Sequence, residues 1–178
     1  MTEQNDAPAR TVFEGKWISV RKQGRWEYAT RSRGISAAVI LPLDGDDVIL
    51  IEQKRVPVGK RVLELPAGLI GDEEGAEDGD DPMAAAKREL EEETGFAASE
   101  WTDMGYYLSS PGMTDEGFTL LRARGLTKVG EGGGLESEDI TVHRVPLTDL
   151  PRFVSDFREG GGLIDVRVLM VMSPWLLR

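Results

Sequence analysis

The sequence predicts a single α/β domain, both from its length and from the order of its strands and helices. The chain has 178 residues, which is the size of one domain and enough to bury a substantial core. Four strand-like segments open the sequence, a sharply bounded helix follows, and further strands lead to two C-terminal helices. No internal repeat and no linker long enough to separate two independent domains interrupts this order.

The first four predicted strands are joined by short turns and are expected to pair antiparallel. Gly24, Gly34 and the turn at 44–47 separate them. The strands cover residues 17–23, 26–31, 36–43 and 48–53. The last two are almost continuously apolar, which is typical of central strands covered on both faces. The first two are more charged, so residues 1–34 are expected to form a small antiparallel sheet that contacts a partner, with the main domain over 35–178.

One helix has clear signals at both ends. Asp81 suits the N-cap, Pro82 suits the first helical position, and Gly95 suits the left-handed residue that ends a helix. The helix is therefore predicted to run from Pro82 to Thr94. The eleven residues 71–81 contain seven acids and three glycines, a composition that predicts a solvated loop.

The second half of the chain is predicted to add three strands and two helices. The strands cover residues 105–108, 118–124 and 140–145, and the helices cover residues 148–158 and 166–176. Four glycines within 130–134 predict a mobile loop before the last strand. The final helix has an apolar stripe that we interpret as its core-facing surface. This stripe consists of Val168, Leu169, Val171, Met172 and Trp175.

Composition excludes several classes of function. The chain has no cysteine, so disulfides, a thiol nucleophile and thiolate metal sites are excluded. A single histidine, His143, excludes an all-histidine metal site. No apolar stretch approaches about 20 residues, which argues against a membrane span, and the absence of a basic run argues against nucleic acid as a partner. The first residues lack the pattern of a secretory signal, so the expected location is cytoplasmic.

The acidic residues are concentrated in one part of the chain. There are 32 acidic and 21 basic residues, a net charge of −11, and residues 71–93 hold 11 of the acids and two of the bases. At about 100° per residue, Glu89, Glu92 and Glu93 fall within one arc of a helix. Clustered carboxylates repel one another, and a hard cation such as Mg²⁺ or Mn²⁺ would relieve that repulsion. Arg88 is expected to orient Glu92. The alternative interpretation is a solvated acidic face.

The residues on both sides of the acidic loop form a known pattern. Residues 64–68 are Glu-Leu-Pro-Ala-Gly, and residues 88–96 are Arg-Glu-Leu-Glu-Glu-Glu-Thr-Gly-Phe. This resembles the box of the Nudix hydrolase family, whose second half is matched at every specified position. The first half departs in two ways. Eleven residues separate Gly68 from Asp80, where the family has five, and Asp80 stands where the family has glutamate.

The resemblance implies a fold, an activity and a metal site. The fold is the Nudix α/β/α sandwich around a mixed sheet, and the activity is hydrolysis of a nucleoside diphosphate linked to another group. Glu89 and Glu93 correspond to the principal ligands of Mg²⁺, for which Mn²⁺ is a possible substitute. Glu92 corresponds to a further or water-mediated ligand, and Ala67 to the residue whose backbone carbonyl completes the site.

Outside the box, the chain resembles the ADP-ribose pyrophosphatase branch of this family over nearly its whole length. Pro111 follows Phe96 by fifteen residues, the placement associated with this branch. Residues 15–17, 26–27, 53–55 and 110–116 also match. The resemblance implies substrate contacts from Trp17, Trp26, Glu27, Arg31, Arg55, Gly68, Leu69, Pro111, Gly112, Met113 and Glu116.

Aromatic and charged side chains are the candidates for substrate recognition. Trp17 and Trp26 can sandwich an adenine ring, because aromatic faces stack on bases, or they can be dimer contacts. Glu27 is a candidate acceptor for a base amino group, and Arg31 and Arg55 are candidate partners of phosphate or ribose oxygens. The alternative for each of these charges is a surface ion pair.

The family places its catalytic base in a late loop just before a strand, and residues 134–140 correspond to that loop. Glu136 and Glu138 both fit. We prefer Glu136 as the base, with the other carboxylate on the metal; the alternative is a solvated acidic strand start. By the same resemblance, Glu116 is expected to hydrogen-bond the terminal ribose.

The leading functional hypothesis is Mg²⁺-dependent hydrolysis of ADP-ribose to AMP and ribose 5-phosphate. The nearest alternative is another nucleoside diphosphate sugar such as GDP-mannose. A non-catalytic ADP-ribose sensor is disfavoured by the complete set of glutamates. Inositol polyphosphates and diadenosine polyphosphates are disfavoured because the run beside the box is acidic rather than basic. The resemblance also implies a homodimer formed through the N-terminal strands.

Overall fold

The computed structural model describes residues 7–71, 81–135 and 138–173; Trp175 and Asp80 of the predictions above lie outside them. The strands in these ranges are β1 (Arg10–Glu14), β2 (Ile18–Gln23), β3 (Trp26–Arg31), β4 (Ser36–Asp44), β5 (Asp47–Arg55), β6 (Lys60–Glu64), β7 (Ala67–Ile70), β8 (Phe96–Leu108), β9 (Gly117–Lys128), β10 (Thr141–Pro146) and β11 (Leu163–Ile164). The helices are α1 (Pro82–Glu89), α2 (Leu150–Glu159) and α3 (Val166–Met170), with a 3₁₀ turn at Ser32–Gly34 and a π-helical turn at Leu90–Thr94.

The N-terminal strands form a sheet of their own, as predicted. In it β2 pairs antiparallel with both β1 and β3. The edge strand β3 also contacts the segment between β8 and β9. Ala29 N–H donates to Met113 O at 3.0 Å, and Asp115 N–H donates to Ala29 O at 3.3 Å. These two bonds attach the small sheet to the main domain.

The main sheet is mixed and has two halves. Its order is β11-β6-β5-β4-β9-β8, with β7 also pairing with β4 and β10 with β5. The pairs β4/β9 and β6/β11 are parallel, and the other pairs are antiparallel. Strands β4 and β5 pair only at the turn between them, where Leu43 faces Val48 and Asp44 faces Asp47. Beyond that turn they separate, so each becomes the centre of its own half.

Alternate residues of β4 build two cores, because successive side chains point to opposite faces of a sheet. Ile40 packs with Ala86 and Leu90 beneath α1 and the π turn. Val39 belongs to the larger core, which contains buried residues of β5, β6, α2 and α3. Helices therefore cover both sides of the strands, which confirms the predicted α/β sandwich around a mixed sheet.

The box helix has the predicted ends but not the predicted geometry. Asp81 caps it, accepting a hydrogen bond from Met83 N–H at 3.0 Å, and Gly95, with a φ of 72°, ends it. Between them, α1 stops at Glu89 and Leu90–Thr94 forms a π-helical turn. A π turn holds more residues than an α turn, which changes the angle between side chains. The single arc calculated for the three glutamates therefore does not hold through this turn.

The last helix uses only part of its predicted apolar stripe. Val168 and Val171 are buried in the larger core, as predicted. Leu169 and Met172 are exposed, and the helix ends at Met170 rather than continuing to residue 176. Among the described residues, no helix is long and apolar enough to cross a membrane.

Candidate active site

Glu93 is the central buried acid of the box. Glu93 is only 4% exposed, and its Oε2 accepts a hydrogen bond from Ala67 N–H at 3.0 Å. Burial raises the pKa of Glu93 to about 8, and the negative charges of Glu89 and Glu138 add to the rise. The hydrogen bond from Ala67 N–H and the positive charge of Arg55 act in the opposite direction and lower this pKa. Three carboxylates and one arginine thus influence the same small region beside Ala67.

Glu89 lies against the loop glycine of the box. A Cβ on Gly68 would lie 2.0 Å from Glu89 Cγ and 2.3 Å from Glu89 Oε1, so only glycine allows this approach. Arg88 Nη2 is 3.5 Å from Glu89 Oε1. The sequence predicted that Arg88 orients Glu92; this stays a prediction, beside the contact that Arg88 makes with Glu89. Glu92 is exposed, because the π turn moves it away from the direction that α geometry predicts.

A glycine-rich loop packs over the end of the π turn. Gly133 N–H donates to Glu93 O at 2.8 Å, and Lys128 Nζ donates to Thr94 O at 3.0 Å. Gly132 has a φ of 72°, and a Cβ there would lie 2.4 Å from the carbonyl carbon of Thr94. The glycines predicted to give a mobile loop therefore provide close backbone contact with the helix end.

This loop brings Glu138 towards Glu93. The Glu138 Oε2 atom accepts a hydrogen bond from Leu135 N–H at 2.8 Å and lies against Gly134. Its charge contributes to the raised pKa of Glu93. Glu136, the preferred candidate base from the sequence, lies outside the described residues.

Arg55 is held beside the acids by Glu64, which the sequence did not indicate as a site residue. Its Nε and Nη2 donate to the two carboxylate oxygens of Glu64 at 2.8 and 2.5 Å. Glu64 is 2% exposed and also accepts from Gln53 Nε2 at 3.5 Å. The hydrogen bond to Glu64 raises the pKa of Arg55 in spite of its burial. No pattern in the sequence marked Glu64, because its partner Arg55 lies on the neighbouring strand β5.

A separate cavity of about 390 Å³ lies where β3 meets the segment after β8. Its lining consists of Gln23, Trp26, Tyr28, Pro111, Gly112, Thr114 and Asp115. Trp26, Pro111 and Gly112 were predicted as substrate contacts. Tyr28 was missed, although it is two residues from Trp26 on a strand and therefore on the same face.

Trp17 and Trp26 do not lie together in one chain. Gln23 pairs with Trp26 at one end of the β2–β3 hairpin, and Trp17 precedes the other end. Six residues of strand separate the two positions, or about 20 Å. The predicted sandwich of one base between them is therefore wrong within a single chain. Glu27 is next to Trp26 on β3, so the two side chains point to opposite faces of the strand. Glu27 pairs with Lys22 at 2.7 Å and faces away from the cavity of its own chain.

Arg31 and Glu116, both predicted to bind substrate, bind each other. Arg31 Nε donates to Glu116 Oε1 at 2.5 Å. This ion pair joins β3 to the residues before β9, beside the backbone bonds of Ala29. Met113 is exposed and uses its carbonyl oxygen in those bonds.

Strand register relates this cavity to the acids. Gly68 of β7 pairs with Ala38 of β4, and Ala38 pairs with Thr119 of β9. Gly68 and Thr119 are thus two strands apart, about 10 Å, and the cavity segment ends directly before β9. Leu69 is half-buried beside Gly68. The cavity lined by Trp26 and the acids beside Gly68 therefore lie at the same end of the sheet.

The carboxylates suit a divalent cation that also binds substrate. Within residues 7–71, 81–135 and 138–173, no three acidic or histidine side chains form a complete metal-binding group. Mg²⁺ is usually held by one or two carboxylates together with water and substrate phosphates. Glu93 is buried near two other negative charges, and a cation would compensate that arrangement. The residues therefore fit an open site rather than a closed cage.

Comparison with protein families assigns the chain. Residues 32–159, well over half of its length, match the NUDIX domain. The chain belongs to the Nudix family. This confirms the family that the sequence resembles, and the matched range contains the box helix, Arg55 and the loop with Glu138.

Curated relatives and a solved structure extend the comparison. The chain is 34% identical over 120 residues to an ADP-ribose pyrophosphatase of Bacillus subtilis, covering 67% of this chain and 62% of the relative. An ADP-ribose pyrophosphatase of Escherichia coli O6:H1 is 33% identical over 150 residues, covering 79% and 66%. A methanol dehydrogenase activator of Bacillus methanolicus is 37% identical over 113 residues, covering 64% and 57%. The chain thus spans less than two thirds of these relatives.

A crystal structure of an ADP compounds hydrolase matches this Nudix chain with a TM-score of 0.71 and 25% identity, covering 95% of this chain and 91% of the other. Together with the curated relatives, this match confirms the resemblance to the ADP-ribose pyrophosphatase branch.

Proposed function

We propose that the chain is a metal-dependent hydrolase that cleaves the diphosphate of ADP-ribose, or of a related nucleoside diphosphate sugar, to give AMP and ribose 5-phosphate. The observation that carries this proposal is the cluster around Ala67, where buried Glu93 lies near Glu89, Glu138 and Arg55. The pyrophosphatases among its relatives support the same reaction.

The proposed cation is Mg²⁺, with Mn²⁺ as a substitute, because both prefer oxygen ligands. Glu89 and Glu93 would hold it, with the backbone carbonyl of Ala67 and, through water, Glu92. When bound, such a cation neutralises charge on the diphosphate and lowers the pKa of an attacking water. Arg88 would keep the Glu89 carboxylate oriented, given their contact at 3.5 Å.

The chain's own residues would do the remaining chemistry. Either Glu138 or Glu136 accepts the proton of the attacking water. The water oxygen bonds to one phosphorus while the bridging P–O bond breaks, and the leaving phosphate keeps the electron pair. Arg55, fixed by Glu64 and partly exposed, pairs with the phosphate oxygens.

The base would occupy the cavity beside Trp26. The Trp26 and Tyr28 faces supply stacking, which tolerates any base, while Gln23 and Asp115 supply polar groups that can distinguish base edges. The backbone at Gly68 and Leu69 and the side chains of the segment after β8 complete the contacts. The predicted members of that segment are Pro111, Gly112, Met113 and Glu116.

We also propose a homodimer. Trp17, Glu27 and Arg31 then contact substrate from the second copy or support the interface, since neither Trp17 nor Glu27 lines the cavity of its own chain. The cytoplasmic location expected from composition stays a prediction.

Two alternatives lead to different measurements. GDP-mannose hydrolysis keeps the acidic cluster and changes only the base contacts, so a substrate panel compared by kcat/KM decides between them. A sensor binds ADP-ribose tightly without turnover under any divalent metal. The intact set of Glu89, Glu92 and Glu93 favours hydrolysis over sensing.

The deciding experiment incubates purified protein with ADP-ribose and Mg²⁺ and measures AMP. We expect AMP release that EDTA abolishes and that Glu93→Gln reduces more than about 100-fold. The matched control is Glu91→Gln, which removes an exposed charge of the same turn. AMP formation that is no higher than in the Glu93→Gln variant would refute the activity.

A further inference from the structure

The chain is hydrogen-bonded to other elements on both sides of Glu138. Upstream, Gly134 N–H donates to Glu92 O of the π turn at 2.9 Å. Downstream, the chain is held by Arg61, at the start of β6. This downstream contact has no role in the function proposed so far.

The guanidinium of Arg61 donates more than one hydrogen bond to Asp139, the residue that follows Glu138. Nη1 donates to Asp139 Oδ2 at 2.8 Å, and Nη2 lies 3.3 Å from Asp139 O and 3.2 Å from Thr141 Oγ1. Both the side chain and the backbone of Asp139 are therefore held from one planar group. A lysine has no such fork and would not replace it.

Asp139 needs that support because of its backbone. Its φ is +50°, and it is the only non-glycine residue with positive φ in the part of the chain that the structure describes. Side chains disfavour this left-handed region, aspartate and asparagine least. This left-handed residue comes directly after Glu138. The backbone direction at Asp139 therefore helps to set where the Glu138 carboxylate lies.

Arg61 is itself fixed from the sheet. Its Nε donates to Glu52 Oε1, and Nη2 lies 3.2 Å from Glu52 O. The other oxygen of Glu52 is 2.9 Å from His143 Nε2, on the neighbouring strand β10. An isolated exposed ion pair contributes little, but here one guanidinium joins β5, β6 and the start of β10 in a single network.

We propose that Arg61 is a positioning residue for catalysis, holding Glu138 in place through Asp139. The inference rests on the function proposed above. Misplacement of a catalytic group by about 1 Å can cost up to about 100-fold in rate. Because Arg61 touches neither the acids around Ala67 nor the base cavity in any contact described, its loss should affect turnover rather than substrate binding.

The test compares steady-state kinetics of ADP-ribose hydrolysis. We expect Arg61→Ala to lower kcat by about 10- to 100-fold with KM nearly unchanged. Arg61→Lys should not restore kcat. Asp139→Gly, which removes the held side chain at an exposed position, should lower kcat in the same way without a risk to folding. Arg144→Ala is the matched control, because Arg144 on β10 forms similar ion pairs with Asp47 and Asp44 and should leave kcat unchanged.

A purely structural role would give a different pattern. If Arg61 acts through Glu138, then in a Glu138→Gln background Arg61→Ala should change the residual kcat by less than about twofold. An equal loss in both backgrounds, or a rise in KM with kcat unchanged, would overturn the inference.

Amide hydrogen exchange gives a readout that does not depend on activity. Exchange at 139–141 should be faster in Arg61→Ala than in wild type or Arg144→Ala, and unchanged exchange would contradict the anchor. If wild type does not hydrolyse ADP-ribose, the proposed function fails, while exchange still decides whether Arg61 holds this segment.

Discussion

Glu93 shows how a single buried acid connects stability with function. Its carboxylate lies near Glu89 and Glu138 and has a pKa raised to about 8 by burial and by those charges. Without a cation this arrangement destabilises the fold. Gln can accept the same hydrogen bond from Ala67 N–H without the charge. We therefore expect metal-free Glu93→Gln to have a Tm at least equal to that of wild type, measured by thermal unfolding in EDTA.

Addition of Mg²⁺ should separate the two proteins. A cation that binds only the folded state raises stability by about 2.7 kcal/mol at a concentration 100 times its Kd, or roughly 5 to 10 °C in Tm for a chain of this size. Wild type and the exposed-site control Glu91→Gln should show this rise, and Glu93→Gln should not. An equal rise in all three would show that Mg²⁺ does not bind at Glu93.

Trp26 offers a second test on one side chain. Stacking of a base on an aromatic ring is worth about 1–3 kcal/mol, so Trp26→Ala should lower kcat/KM for ADP-ribose by about 5- to 150-fold, mainly through KM. Trp26→Phe should recover part of the loss. The control is Tyr106→Ala, which removes an exposed aromatic that does not line the cavity. If Trp26→Ala behaves like the control, the cavity does not bind the base.

Individual site residues were predictable from sequence to different degrees. Glu89, Glu93 and Arg55 lie near one another in the structure, and the sequence indicated them because motifs specify them. Glu64 was missed because a buried acid on a strand is recognised only with its partner, and Arg55 is nine residues away in sequence. The error in pairing Trp17 with Trp26 has a geometric cause, since the lengths of β2 and β3 separate the two rings whatever their chemistry.

The start of α3 illustrates how charge stabilises one element. Asp165 Oδ1 accepts from Arg167 N–H at 2.8 Å and from Arg167 Nε at 2.7 Å, and Oδ2 accepts from Nη2 at 2.7 Å. Burial pushes the pKa of Asp165 up, but the hydrogen bonds and charge of Arg167 outweigh it, and the pKa is lowered. Arg167 also lies over the ring of Phe118 in the larger core. The pair therefore joins α3 to the sheet.

Asp165→Asn should reveal this contribution through its pH dependence. A carboxyl with a pKa lower in the folded than in the unfolded state stabilises the protein above its unfolded pKa, near 4, and loses that effect as pH falls through the folded value. Urea unfolding should show Asp165→Asn less stable than wild type by about 1–3 kcal/mol at pH 7. The difference should shrink below about pH 4.

The control for this experiment is Asp156→Asn, whose carboxylate forms an exposed pair with Arg152 at 3.6 Å and should change stability little at either pH. A difference for Asp165→Asn that is the same at pH 7 and pH 3 would mean that the Arg167 pair is not its cause.

The bounds of strands and helices were predictable from the sequence where apolar runs and capping or turn residues mark them. They were less predictable for strands at the edge of the sheet. β3 has its predicted bounds, and β4 and β5 are within two residues, because apolar runs and turns mark them. Strand β8 starts at Phe96 rather than near Gly105, since its exposed polar residues carry no alternating pattern. The π turn at Leu90–Thr94 depends on backbone hydrogen bonding that a side-chain period does not reveal.

The molecule as a whole exposes apolar surface on its small sheet. Val12 and Phe13 on β1 are 49% and 58% exposed, and Ile18 and Trp17 beside them are also exposed. β1 is an edge strand with unpaired backbone groups. Such a surface favours association with a second copy through a closed, symmetric contact. The proposed dimer would cover it and bring Trp17 close to another chain.

Light scattering after gel filtration tests the dimer directly. Wild type should have about twice the chain mass of 19.6 kDa, and the double variant Val12→Lys/Phe13→Asp should be a monomer, because charge on both residues opposes burial of the sheet. The control Leu169→Asp adds charge at an exposed apolar residue of α3 and should stay dimeric. If the partner helps to form the base site, KM for ADP-ribose should rise in the monomeric variant while Mg²⁺ still raises its Tm. A wild type that runs as a monomer and is fully active would contradict both the dimer and any role for Trp17 in a neighbouring site.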